Sequence, residues 1–130
     1  MSDETIPAGP VGLAGRVWTT PAGVTLGPLE LIAEGGARNF VLQIGDNRFH
    51  GFVVRRGEQA FGYVDRCPHA GLPLAQKLDQ YLTPDGDLIA CSWHGAMFTV
   101  EEGVCVGGPC VGRRLTPWPV EVREGRILTA

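Results

Sequence analysis

The sequence predicts an all-β fold of short antiparallel strands, and three observations carry that expectation. Turn formers are abundant, with 19 glycines and 10 prolines in 130 residues. Charged residues make up only 19% of the chain, which together with the turn formers favours strands and loops over helices. The apolar residues fall in short runs, several of them alternating, bounded by turn signals. A chain of this length makes one domain around a modest core.

Residues 1–27 contain Pro7, Gly9, Pro10, Gly12, Gly15, Pro21, Gly23 and Gly27 with little periodicity. They read as an irregular or disordered N-terminal arm, which Val17 and Trp18 can pin to a domain spanning 28–130. Leu29–Ala33 is the first strand signal. Phe40–Ile44 follows, with Phe40, Leu42 and Ile44 on one face, then Phe49–Arg55 and Ala60–Val64. Gly45-Asp46-Asn47 and Arg56-Gly57 supply the turns between them. Gln76–Leu82 is the one helical turn the pattern offers. Leu88–Ala90, Ala96–Val100, Trp118–Val122 and Ile127–Thr129 complete the set, punctuated by Pro84-Asp85-Gly86, Glu102-Gly103 and Glu124-Gly125. No repeats are present, and the elements fit a single antiparallel meander or small barrel.

Net charge −3 and a pI near 5.5 argue against a nucleic-acid partner, since no basic stripe is present. The mildly acidic balance suits a carrier that docks on basic partners. No run of 18 apolar residues predicts a membrane span. Met1-Ser2-Asp3-Glu4 is acidic with no apolar h-region behind it, so a cytoplasmic location is expected. Four cysteines in that setting point to metal ligation or free thiols rather than structural disulfides.

Two segments concentrate the chemistry: Cys67-Pro68-His69 and Cys91-Ser92-Trp93-His94-Gly95. Each offers one thiolate and one imidazole within loop sequence. The C-x-H and C-x-x-H spacings depart from the knuckles of structural zinc modules. They match the need of a mixed-ligand [2Fe–2S] cluster, in which two Cys hold one iron and two His the other. Gly71 and Gly95, beside the two histidines, let backbone N–H groups approach bridging sulfides. Gly107-Gly108-Pro109 is a rigid turn that reads either as plain surface or as a lid over the cluster. A four-thiolate site using Cys105 and Cys110 is a rival, although gaps of 23, 13 and 4 residues do not fit the plant-type pattern. A mononuclear Cys2His2 zinc site is another. Otherwise Cys105 and Cys110 are small apolar residues packed beside the third loop. His50 reads as an ordinary strand residue, and Arg113-Arg114 as a solvated turn or a contact for an acidic partner. Trp93 is a docking residue if exposed, and Trp118, between Pro117 and Pro119, a packing residue.

CPHAGLPL (67–74), CSWHGAMF (91–98) and CVGGPC (105–110) closely resemble Rieske ferredoxins and the Rieske domains of bacterial ring-hydroxylating oxygenase systems. The resemblance extends over roughly residues 28–129. It implies stacked antiparallel sheets with a small cluster-binding subdomain, and one [2Fe–2S] cluster as cofactor. Cys67 and Cys91 would hold the buried iron, and His69 and His94 the outer one, with the imidazole edges as the docking surface. High-potential respiratory relatives carry an extra disulfide-bonded Cys in each ligand loop, where this chain has Leu72 and Trp93. They also place Ser and Tyr hydroxyls where this chain has Ala96 and Phe98. Fewer hydrogen bonds to the cluster lower its potential, so the resemblance points to the low-potential branch. The stretch from His69 to Cys91 is longer than in typical Rieske ferredoxins.

What the resemblance implies is a one-electron carrier rather than an enzyme. It would take electrons from a flavin-dependent reductase and pass them to a terminal oxygenase or similar acceptor. A permanently bound small subunit of a larger oxidoreductase and a cluster-based redox or iron sensor are the alternatives. No nucleophile triad, phosphate loop, nucleotide fingerprint or facial triad appears in the sequence.

Overall fold

The computed structural model describes residues 15–68, 74, 79–91 and 95–130. Among them run the strands β1 (Thr25–Pro28), β2 (Ala37–Ile44), β3 (Asn47–Arg56), β4 (Gln59–Val64), β5 (Leu88–Ala90), β6 (Met97–Thr99), β7 (Cys105–Gly107), β8 (Val120–Arg123) and β9 (Arg126–Thr129). They pair antiparallel into three three-stranded sheets, ordered β1-β9-β8, β2-β3-β4 and β5-β6-β7. The single meander expected from the sequence is therefore divided, and β1 closes against the last strand.

The middle sheet separates two cores. Side chains alternate along a strand, and β3 is buried on both sides. Phe49 and Val53 pack with Phe40, Ile127 and Trp118 on one face, while Phe52 and Val54 pack with Tyr81, Phe98 and the four cysteines on the other. Trp118 centres the first core. Its ring lies 4.6 Å from that of Phe49 and 6.1 Å from that of Phe40, and its Nε1 donates to Thr20 Oγ1 at 2.9 Å. Gly51 makes room for it, because a Cβ there would fall 2.6 Å from the ring.

Three expectations change. Leu29–Ala33 is not a strand: Leu29–Leu31 is a 3-10 turn, and the spacing of buried Leu29 and Ile32 suits that turn better than a strand's alternation. The strand lies just before it, so the 27/28 boundary falls inside β1. Part of the arm is also tied down, with the Val17 N–H donating to Arg48 O at 3.0 Å and Val24 N–H to Thr129 Oγ1 at 2.8 Å. The Trp118–Val122 signal starts late, at Val120, because Pro117 and Pro119 cannot donate to a ladder. Residues 76–78 of the anticipated helical turn lie outside the described residues, while Leu82 forms an isolated bridge to Ile89.

Candidate metal centre

Cys67 lies just beyond β4 and Cys91 just beyond β5, so two strand ends deliver the thiols. Both are buried. The loop after β5 is closed at its base, with Cys91 N–H donating to Ala96 O at 2.7 Å and Gly95 N–H to Cys91 O at 3.0 Å. His69, Gly71, Leu72, Trp93 and His94 lie outside the described residues.

The first loop is held by a residue the sequence reading passed over. Asp65 is buried, and its Oδ1 accepts the Leu74 N–H at 2.9 Å, joining the two ends of the segment that carries Cys67 and His69. Its Oδ2 accepts from Tyr81 OH at 2.8 Å and from Asn39 Nδ2 at 3.3 Å. Tyr81 stacks on Phe52 with ring centroids 4.2 Å apart. Burial, and then the Asp65 charge, raise the Tyr81 pKa above its ordinary value, so the phenol stays a donor. The one signal available was an acidic residue closing an apolar strand two positions before a ligand-motif cysteine.

The third loop rests on the second. Gly108 has φ +86°, and a Cβ there would fall 2.7 Å from Ala96 Cα and 3.0 Å from Gly95 O. Only glycine allows that approach. Arg113, read as a solvated turn residue or a partner contact, donates through Nη1 to Pro68 O at 3.0 Å and so links this segment to the first loop. Cys110 and Cys105 are in contact, Sγ to Sγ 3.1 Å, and are not merely separate packing residues. Burial first, then Cys105, pushes the Cys110 thiol pKa up to about 12. Among the described residues, which include all four cysteines, no three His, Cys, Asp or Glu side chains converge as a metal group.

The residues present fit an iron–sulfur group. Two buried thiols at adjacent loop bases are soft donors, the nearby carboxylate of Asp65 is already committed to three hydrogen bonds, and glycines let backbone come close. Ala96 and Phe98 are fully buried in the same core and bring no side-chain donor.

The family model described as Rieske [2Fe-2S] domain matches residues 32–122. Ferredoxin CarAc from Metapseudomonas resinovorans is 36% identical over 78 residues, covering 60% of this chain and 67% of that protein. A chain in the complex of reduced oxygenase and oxidized ferredoxin in carbazole 1,9a-dioxygenase is 29% identical. That match covers 82% of this chain and 100% of that one, with a TM-score of 0.65. The ferredoxin of carbazole 1,9a-dioxygenase from Nocardioides aromaticivorans IC177 shares the fold at 23% identity and TM-score 0.65, over 85% of this chain and 98% of that one. Among the described residues, no helix is long and apolar enough to cross a membrane.

Proposed function

The chain belongs to the Rieske [2Fe–2S] domain family, and from that premise we propose that it is a one-electron carrier between a flavin-dependent reductase and a terminal oxygenase or similar acceptor. Cys67 and Cys91 are the proposed ligands of the inner iron, and His69 and His94 of the outer one. Bound there, the cluster supplies a one-electron redox couple. The protein's part is to bury the two thiolates, to tie the first loop through Asp65 and to seat the third loop on the second through Gly108. The carrier role is supported by the ferredoxin relative and by the similarity to a chain of an oxygenase–ferredoxin complex. The observation that carries the reading is the pair of buried thiols at the bases of two loops joined by a third. A cytoplasmic setting belongs to the same proposal and is checked by cell fractionation.

Purified protein should contain two irons and two labile sulfides per chain, with the low-average-g electron paramagnetic resonance spectrum of mixed His and Cys ligation. Zinc alone, or an all-cysteine ferredoxin spectrum, would overturn the ligand assignment. With Ala96 and Phe98 donating nothing, the midpoint should lie near roughly −150 mV rather than +300 mV, and should be nearly flat around neutral pH. A midpoint above about +100 mV would move the protein to the respiratory branch. The carrier role is tested by reducing the protein with a flavin-dependent reductase and adding a terminal oxygenase. Electrons that do not pass on overturn the carrier role while leaving the cluster assignment intact.

A further inference from the structure

We propose that Cys105 and Cys110 form a second redox site, a dithiol that closes reversibly to a disulfide across the third loop and uses none of the proposed iron ligands. The two residues bracket Val106–Pro109, both are buried, and both are reduced thiols with their Sγ atoms 3.1 Å apart. A disulfide bond is about 2.05 Å long, so roughly one ångström of closure separates the pair from bonding.

The backbone already fixes the two residues face to face. Cys105 N–H donates to Arg113 O at 2.8 Å, Gly112 N–H to Cys105 O at 3.3 Å, and Arg113 N–H to Cys110 O at 2.9 Å. The sequence gap of four residues is thus folded into a hydrogen-bonded turn that brings sulfur to sulfur.

Reduced, the thiols form a chain. Cys110 S–H donates to Cys105 Sγ, and Cys105 S–H donates to Gly107 O at 3.1 Å. Oxidation removes both S–H donors and releases the Gly107 carbonyl. The next residue, Gly108, lies against Gly95 and Ala96, so the state of the pair bears on how the third loop seats upon the second ligand loop.

The oxidant is a low-molecular-weight disulfide. One cysteine sulfur, as its thiolate, attacks a sulfur of the small disulfide, and its S–S bond breaks to release one small thiolate and leave a mixed disulfide. The second cysteine sulfur then attacks the protein sulfur of that mixed bond, forming the Cys105–Cys110 bond and expelling the other small thiolate. The two protons lost by the cysteines end on the two released small thiols. Two electrons pass to the small disulfide, and none is asked of a one-electron cluster. Burial of both sulfurs makes the exchange slow.

The test uses cluster-loaded protein incubated anaerobically with glutathione disulfide, freed of it, and then labelled with N-ethylmaleimide in denaturant with an iron chelator. Labelled thiols should fall from four to two, and the chain should lose the mass of two hydrogens. Peptide mapping should join Cys105 to Cys110, and dithiothreitol should restore four labels. The visible absorption of the cluster, read before denaturation, should be unchanged. Cys105→Ser and Cys110→Ser should each stop at a glutathione adduct on the remaining partner. Four labelled thiols in the wild type after prolonged incubation, or a bond mapped to Cys67 or Cys91, would overturn the assignment.

Discussion

The two faces of the β2-β3-β4 sheet carry cores of opposite kind. On one side Trp118 is wedged between Phe49, Phe40 and the gap left by Gly51, and packing dominates, with the Trp118 Nε1 bond to Thr20 Oγ1 at its edge. On the other, Phe52 and Tyr81 stack at the foot of a region whose strands β5, β6 and β7 have only three residues each and which holds the four cysteines, Cys105 on β7 and the rest on loops. Strands that short supply few ladder bonds and little apolar area, so this second side needs polar ties and a metal group to hold its shape. The difference separates what keeps the chain folded from what keeps its site in order.

The largest expected effect breaks the cluster side alone. Cys91→Ser removes a proposed ligand, and iron and sulfide should fall from two each per chain to none, with the visible absorption lost. Hydrogen exchange should accelerate at the amides that close the loops, those of Leu74, Cys91 and Gly95. The β3 amides of the packed side should keep their protection. Equal protection of the loop amides with and without the cluster would contradict this division.

Trp118→Ala tests the opposite side. It empties the centre of the packed core and should cost about 3–5 kcal/mol, read as a fall in the denaturation midpoint. At temperatures where the variant is folded, its cluster spectrum and midpoint potential should match the wild type. A changed spectrum would show that the two cores are not separable.

Asp65→Asn sits at the seam between them. The amide keeps one acceptor but turns an N–H toward donors, either the Leu74 amide or the Tyr81 and Asn39 groups. A cost of about 1–3 kcal/mol is expected. Because the bond to Leu74 spans the first loop, the g-values of the reduced cluster should shift as well, a change that Trp118→Ala should not produce. Loss of stability with unaltered g-values would make Asp65 a purely structural residue.

How much of this was legible beforehand follows the range of the interactions. The β2–β3 and β3–β4 hairpins show in the sequence because alternation and turn residues are local signals. The ligand motifs show because metal chemistry constrains residue type and spacing within a few positions. Leu29–Ala33 misled because two buried residues three apart imitate a short apolar strand. β7 was missed because Cys105-Val106-Gly107 has no alternation of its own and is a strand only by pairing with β6. Asp65 was hidden for the same reason: its partners Asn39, Leu74 and Tyr81 are gathered by tertiary structure. The contact of Cys105 with Cys110 needed the turn to be seen before two thiols became a pair.

The smallest expected effect is a pH dependence arising beside that seam. His50 lies on β3, and its carbonyl accepts the Asp65 N–H at 3.0 Å. Burial first, then the positive charge of Arg16, lowers its pKa below the ordinary 6.5, with Asp65 opposing and Arg48 adding a lesser share. A group with a lowered folded-state pKa protonates more readily when unfolded, so the unfolded chain binds more protons through the interval between the two values. Stability should therefore decline as pH falls below about 6.5 and should show no His50 contribution above neutrality. His50 is only partly buried, and the Arg16 and Arg48 charges are open to screening. Added salt should flatten the slope, and the effect should stay well below that of Trp118→Ala. Denaturant midpoints of wild type and His50→Gln, compared between about pH 7 and pH 5, decide the matter. The variant should lose the acid-side decline, and an identical decline in both proteins would assign it to other groups.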